Sequence, residues 1–224
     1  MLLWLHGQGY PKSRALTEPW AGWDTGLKPA YEPILLARKP LDGTVANNAA
    51  TYGTGAINID AARTDQGRWP TDLLLDHNLD RCTDGCPVGE LGDRARFFYC
   101  AKPNRRERDA GCEHLPRRTI QTFQIGREDE EKAKREGTLN VHLTGTPIDL
   151  MRWLIRLLCP PGALILDPFA GSGTTGAAAL LEHTRFLGFE REVDYIEIAR
   201  SRITHYACEA RQHTRTEVRS RCRR

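Results

Sequence analysis

The sequence predicts an α/β fold with parallel strands, and three observations support this prediction. The chain has 224 residues, of which 40% are hydrophobic and 27% charged, so that a buried core can form. Its C-terminal third alternates helix, strand, helix, strand and helix in hydrophobic pattern. A glycine-rich turn lies between the first of these strands and the following helix. This order indicates a βαβ unit, whose parallel strands are joined by a right-handed crossover.

Residues before 103 contain four candidate strands. Residues 1–10 predict a short buried strand followed by a turn, and residues 31–39 predict a strand in which Pro33 is tolerated near the start or on an edge. Residues 71–76 fit a strand or a helix equally well, and the aromatic-rich residues 94–102 indicate another strand.

The C-terminal third has clearer element boundaries. Thr146 is a cap-like residue, Pro147 suits the first position of a helix, and Asp149 follows three residues after Thr146. Pro160 and Pro161 end that helix. The elements that follow are a strand ending at Asp167, a helix of small residues, a strand at 185–190 and an amphipathic helix at 193–206.

The glycine-rich turn predicts a nucleotide-like ligand. Gly171, Gly173 and Gly176 match the pattern G-x-G-x-x-G, and Glu190 ends the next strand 19 residues after Gly171. Glycines let the backbone approach a ligand closely, and the Glu190 carboxylate can accept hydrogen bonds from both ribose hydroxyls. The alternative is an ordinary tight turn between a strand and a helix.

Asp167 distinguishes between the possible ligands. A carboxylate just before the glycines repels the pyrophosphate of a dinucleotide, which makes a nicotinamide enzyme a remote alternative. The same carboxylate attracts S-adenosylmethionine, which carries a sulfonium and an ammonium group and has no phosphate. The turn contains no G-K-[ST], so a phosphate loop that hydrolyses nucleoside triphosphates is not predicted.

Residues 167–175 read DPFAGSGTT and resemble the cofactor motif of DNA amino-methyltransferases, which methylate N6 of adenine or N4 of cytosine. The resemblance implies a Rossmann-like fold that uses S-adenosylmethionine. It also implies that the residues matching the motif bind the cofactor: Asp167, Phe169, Gly171, Gly173, Thr174, Thr175 and Glu190.

The subclass resembled is the circularly permuted one (the beta class), in which the catalytic half precedes the cofactor half. Its members carry an H-P-T-x-K-P segment that lines the cofactor pocket, and residues 142–147 read HLTGTP. Thr144 and Pro147 match this segment and would contribute to cofactor binding, whereas Leu143 and Thr146 depart from it.

The resemblance covers most of residues 1–206 and includes phage and bacterial members. It implies that residues 1–102 are later sheet strands and connections, and that residues 142–206 form the cofactor-binding βαβ unit. Residues 103–141, which include a charge run at 127–136, are expected to be a variable target-recognition region or a disordered loop. The Arg-rich residues 207–224 are expected to be a disordered tail.

The family's catalytic motif, of the form Asp/Asn/Ser-Pro-Pro-aromatic, is absent from this sequence. The only Pro-Pro pair, Pro160-Pro161, follows Cys159 and precedes Gly162. We therefore expect an incomplete methyltransferase fold, from a C-terminal fragment or half of a split enzyme, with no catalytic residue of its own and little or no activity alone. The resemblance implies double-stranded DNA as a partner, and a separate chain as a possible source of the catalytic half.

Basic residues in the middle of the chain suggest a contact with DNA. Arginine accounts for 26 of the 32 basic residues, and Arg105, Arg106 and Arg108 lie where family members place target recognition. A solvated loop explains these arginines equally well. A non-catalytic DNA- or cofactor-binding remnant is therefore a second functional hypothesis.

The cysteines suggest a third hypothesis, a module held together by zinc. Cys82, Cys86, Cys100, Cys112, His77 and His114 are irregularly spaced, so no metal site is predicted and reduced thiols are favoured. No export signal and no apolar run of about 18 residues are present, which predicts a cytoplasmic chain with reduced cysteines.

Overall fold

The computed structural model describes residues 1–6, 14–27, 29–64, 67–76, 98–118 and 137–221. The chain divides into two compact units, Met1–Ala101 and Lys102–Arg224. Among the described residues, no helix is long and apolar enough to cross a bilayer.

The first unit contains a sheet of four strands, β1 (Leu2–His6), β2 (Tyr31–Ile34), β3 (Leu73–Asp76) and β4 (Phe98–Tyr99), in the order β2-β1-β3-β4. Strand β1 is parallel to β3 and antiparallel to β2, and β3 is parallel to β4.

Burial explains why the ambiguous residues 71–76 contain a strand. Leu74 and Leu75 are completely buried, and β3 lies between β1 and β4, so that its backbone is paired on both sides. The Trp4 indole nitrogen donates to the carbonyl of Cys100 at 3.1 Å. Pro33 lies in β2 at an end of this sheet, as its missing amide proton requires.

One helix of the first unit was not predicted from the sequence. Helix α1 (Val45–Tyr52) begins after Thr44, whose hydroxyl accepts from the Asn47 amide at 3.2 Å. It ends at Gly53, which has a positive φ of 68°. Residues next to the helix therefore determine where it begins and ends, and the sequence contained both signals.

The second unit contains the predicted βαβ arrangement. Strands β5 (Leu164–Asp167) and β6 (Arg185–Gly188) are parallel, from Leu164 opposite Arg185 to Asp167 opposite Gly188. Ala177, Ala178 and Ala179 of the connecting helix are fully buried, so that other apolar groups pack closely against it. The elements are α2 (Arg105–Asp109), α3 (Ile148–Leu158), β5 (Leu164–Asp167), α4 (Thr174–Leu181), β6 (Arg185–Gly188) and α5 (Val193–Arg221).

Two segments of the second unit differ from the sequence expectation. Within 103–141, the described residues pack into the unit: Cys112 is fully buried, and Asp109 Oδ1 accepts from the Asn140 amide at 3.0 Å. The charge run at 127–136 lies outside the described residues. The expected disordered tail at 207–224 is helical to Arg221, because no glycine or proline interrupts the chain after Val193.

Candidate functional site

The glycine-rich turn connects the end of β5 to the start of α4. Gly171 and Gly173 have positive φ values of 52° and 77°, which L side chains rarely adopt. A Cβ on Gly171 would lie 2.7 Å from Nε2 of His142, and a Cβ on Gly173 would lie 2.8 Å from the Cα of Ala199. Both positions therefore require glycine for backbone conformation and for close packing.

Glu190 lies two residues after β6, which ends at Gly188 and not at residue 190 as expected, and its side chain holds the turn. Its Oε2 accepts from the Gly171 amide at 2.8 Å, and its Oε1 accepts from the amides of Arg191 and Glu192 at 2.8 and 3.0 Å. These backbone bonds, led by that of Glu192, hold the pKa of Glu190 below its ordinary value. A carboxylate offers about four acceptor positions, so about one, on Oε2, is left for a ligand.

Asp167 lies half-buried at the carboxyl end of β5, as predicted from the strand. Its Oδ1 accepts from the Phe169 amide at 3.0 Å. Its backbone carbonyl accepts from the Phe189 amide at 2.9 Å, and the Phe189 carbonyl accepts from the Ala170 amide at 2.8 Å. These bonds tie the turn to the end of β6.

A cavity of about 500 Å³ opens beside the turn, within the range for small-molecule pockets. Phe169 is 87% exposed and Phe189 is 57% exposed, so both aromatic rings are accessible to a ligand. The lining residues are Pro168, Phe169, Phe189, Glu190, Arg191 and Glu192.

His142 brings the 142–147 segment against the turn. Its ring packs on Gly171 and meets the Tyr195 ring edge to face, with centroids 4.7 Å apart. Burial lowers the pKa of His142, and a backbone hydrogen bond with Thr144 opposes this shift. Thr144 itself is exposed, whereas Pro147 is buried at the start of α3.

The predicted cap of α3 at Thr146 is wrong. The helix begins at Ile148, Pro147 occupies the cap position, and no side chain there supplies a cap bond. Instead, the Ile148 amide donates to Oε1 of Glu107 at 2.8 Å. Burial raises the pKa of Glu107, and the bond from Ile148 opposes the shift.

Of the predicted cofactor-binding threonines, Thr175 is half-buried and Thr174 is buried, with its hydroxyl turned toward helix α5. Thr174 Oγ1 accepts from Nη1 of Arg202 at 3.0 Å. The sequence prediction did not include Arg202. The available signal was a charged residue directly beside Ile203 on the apolar face of an amphipathic helix.

The three candidate DNA-contacting arginines differ in environment. Arg105 donates to the Gly137 carbonyl at 2.6 Å, and Arg108 donates to the His142 carbonyl at 2.9 Å. Both side chains thus bridge the 102–118 and 137–148 segments of the same unit. Arg106 is exposed.

The cysteine and histidine candidates are only partly described. Cys100 and Cys112 are buried, and burial raises the pKa of Cys112 to about 11. Within the described parts of the chain, no three His, Cys, Asp or Glu residues are arranged to hold a metal ion. Cys82, Cys86 and His77 lie outside them.

The turn lies at the carboxyl ends of two parallel strands, which is where ligands bind in open α/β sheets. Residues 5–201, which are most of the chain, match the profile of the DNA methylase family. The chain therefore belongs to this family of DNA methylases.

Two curated relatives come from Haemophilus influenzae. The chain is 27% identical to the type II methyltransferase M.HindIII over 191 residues, which are 84% of this chain and 45% of that protein. It is 38% identical to the type II methyltransferase M.HinfI over 74 residues, which are 33% of this chain and 21% of that protein. The chain thus spans less than half the length of either relative.

Two solved structures show local likeness. The M1.HpyAVI–SAM complex is 37% identical over 29% of this chain and 31% of its own, with a TM-score of 0.28. The cytosine-N4-specific PvuII DNA methyltransferase is 21% identical over 55% of this chain and 51% of its own, also with a TM-score of 0.28.

Proposed function

We propose that this chain provides the S-adenosylmethionine-binding portion of a site-specific DNA amino-methyltransferase with a Rossmann-like fold. The observation that carries the proposal is the pairing of two carboxylates with two accessible aromatic rings at one glycine-rich turn. Asp167 and Glu190 stand at the carboxyl ends of adjacent parallel strands, and Phe169 and Phe189 line the cavity beside them. Membership of the DNA methylase family supports the same assignment.

The carboxylates and aromatic rings at the cavity fit this cofactor. Glu190 is a carboxylate at neutral pH, because its pKa is held below the ordinary value, and it retains about one acceptor position for a ribose hydroxyl. Phe169 and Phe189 present flat apolar surfaces of the kind on which an adenine ring stacks. Asp167 adds negative charge that favours a sulfonium and an ammonium group. When bound, the cofactor would supply an electrophilic methyl group.

The residues of this chain would bind and orient the cofactor. Gly171 and Gly173 set the path of the turn, and Glu190 holds that path through the Gly171 amide. The His142 ring packs against Gly171 and so would restrict movement of the turn. The acceptance of a proton from a target amino group would be the task of an Asp/Asn/Ser-Pro-Pro-aromatic motif supplied by another segment or chain.

Double-stranded DNA is the proposed substrate, and Arg106 is the candidate for a phosphate contact among the three arginines considered. Its side chain is exposed, whereas Arg105 and Arg108 bond to backbone carbonyls of their own unit. A phosphate contact of this kind carries affinity and not sequence selectivity.

Isothermal titration of the full chain with S-adenosylmethionine, and separately with NAD, tests the proposal. We expect S-adenosylmethionine to bind and NAD not to bind. Asp167→Asn should weaken binding about tenfold, because one favourable charge is lost near a cationic ligand. Asp149→Asn, on the exposed face of α3, is the matched control and should leave affinity unchanged. A folded chain that binds neither ligand, or binds NAD as tightly, contradicts the assignment.

Methyl transfer is tested apart from binding. With radiolabelled S-adenosylmethionine and duplex DNA, we expect no incorporation by the chain alone and incorporation once a chain carrying the catalytic motif is added. Incorporation by this chain alone would show that it holds its own catalytic group. Binding without transfer under both conditions would favour a non-catalytic remnant.

A further inference from the structure

A buried guanidinium lies directly beneath the glycine-rich turn. Arg202, on α5, is 2% exposed. Its Nη1 lies within hydrogen-bond distance of the Ser172 carbonyl at 2.8 Å, the Ser172 hydroxyl at 3.1 Å and the Thr174 hydroxyl at 3.0 Å. Because Nη1 carries two hydrogens, two of these three acceptors share one of them. The three acceptors belong to the residues on either side of Gly173, so one nitrogen holds both flanks of the left-handed position.

This arrangement is costly for a purely structural contact. Removing a guanidinium from water is unfavourable, and burial accordingly lowers the pKa of Arg202. Its Nε has no hydrogen-bond partner among the described residues. An apolar side chain at this point of the α5 core face would avoid both penalties. The specific gain from arginine is the set of bonds to Ser172 and Thr174.

The position of these bonds connects Arg202 to the ligand site without a direct contact. Ser172 and Thr174 are buried, and their acceptors face α5, whereas Phe169 and Glu190 line the cavity beside the turn. Glu190 thus holds the turn at Gly171. Arg202 holds it at Ser172 and Thr174.

We propose that Arg202 is a positioning residue for cofactor binding, which holds the turn in its ligand-receiving conformation and contacts no cofactor atom. This rests on the proposed function of the site. Without Arg202, the turn samples other conformations, and the cofactor must order it on binding. The apparent Kd is then the intrinsic Kd divided by the fraction of molecules that hold the competent turn, so it rises as that fraction falls.

The test compares Arg202→Met and Arg202→Lys with Arg200→Met in the full chain. Arg200 lies two residues earlier on the same helix and is exposed, so it controls for the loss of one positive charge. For Arg202→Met we expect the Kd for S-adenosylmethionine to rise about tenfold or more, and for Arg202→Lys a smaller rise, because lysine keeps a donor without the guanidinium geometry. Arg200→Met should match the wild type.

Hydrogen exchange of the amides of residues 171–174, measured without ligand, separates positioning from general stability. We expect faster exchange in Arg202→Met at these amides relative to amides in the middle of α4. A variant that loses stability while its Kd and the relative exchange at 171–174 stay at wild-type values overturns the proposal. A wild-type chain that binds no cofactor contradicts the proposed function, while the exchange experiment still reports whether Arg202 orders the turn.

A second pair of variants covers the case in which Arg202→Met does not fold. Ser172→Ala and Thr174→Val each remove one acceptor and keep the arginine. Each should raise the Kd several-fold and speed exchange at the turn, and combining Thr174→Val with Arg202→Lys should cost less than the sum of the two. Unchanged Kd and exchange in both single variants, or strictly additive losses, overturn the proposal.

Discussion

Helices α1 and α3, one in each unit, begin in different ways. Thr44 caps α1 from the position just before the helix, with its hydroxyl on the Asn47 amide. Glu107 caps α3 from 41 residues upstream, with its carboxylate on the Ile148 amide. The first helix is ended by Gly53 and uses neighbours in sequence at both ends, whereas the second depends on a tertiary contact. Gly53 in the first unit and Gly173 in the second differ in the same way, since only Gly173 is in close contact with another element.

The largest effect is expected from Gly173→Ala, compared with Gly53→Ala. Both glycines have a positive φ, which costs alanine about 1 kcal/mol. A Cβ at Gly53 meets nothing within 4 Å, whereas one at Gly173 lies 2.8 Å from the Ala199 Cα, which adds about 1–3 kcal/mol for overpacking. Urea unfolding followed by circular dichroism should show this difference. Equal losses would mean that α5 yields easily at Ala199.

The next effect concerns the two helix caps. Glu107→Ala leaves the buried Ile148 amide without its acceptor and should cost about 1–3 kcal/mol of unfolding free energy. Thr44→Ala should cost about 1 kcal/mol. Glu107→Gln keeps an acceptor oxygen and removes a buried charge, so it should recover most of the loss. Failure of glutamine to recover it would show that the negative charge, and not the hydrogen bond, supports α3.

A smaller effect is expected on pH dependence, through His142. Burial lowers its pKa in the folded chain, so the unfolded chain binds the proton more readily. This contribution to stability is complete above the ordinary value of 6.5 and is lost as pH falls from there toward the folded pKa. His142→Asn should flatten the fall in unfolding free energy between pH 7.5 and 5.5. His183→Asn, on an exposed histidine, should retain it, and an unchanged slope in His142→Asn would contradict the assignment.

The smallest effect on stability is expected at Arg106. Arg106→Ala should change the unfolding free energy by less than about 0.5 kcal/mol, since the side chain is exposed. Arg108→Ala should cost about 1 kcal/mol, because its bond to the His142 carbonyl is lost. In a gel-shift titration of duplex DNA, Arg106→Ala should weaken binding and lower the salt slope by about 1. An unchanged slope would remove Arg106 from the interface.

The βαβ arrangement in the second unit could be predicted from the sequence, because the sequence signals for it are local. The apolar run before Asp167, the three glycines and the acid at Glu190 all occur in one stretch with regular spacing. Strand β3 could not be distinguished from a helix, since a short apolar run has no diagnostic period. Its burial between β1 and β4 made it a strand.

The sequence predicted which residues lie at the glycine-rich turn but not the hydrogen bonds that they make. Glu190 was expected to accept from a ribose, and three of its acceptor positions are used by backbone amides. Thr174 was expected at the cofactor, and its hydroxyl faces Arg202. Residue type and spacing do not reveal the direction of a side chain, because that direction depends on which donors the fold brings near.

The sequence by itself determined the α/β class, the strand–turn–helix at residues 164–181 and the membership of a DNA methylase family. These follow from hydrophobic period, glycine spacing and motif, which depend on near neighbours. The tertiary structure alone decided that Glu107 starts α3 and that His142 and Arg202 support the turn from beneath. Each of these contacts joins residues about 30 or more positions apart, and buried polar groups are satisfied by whichever partner the folded chain places within reach.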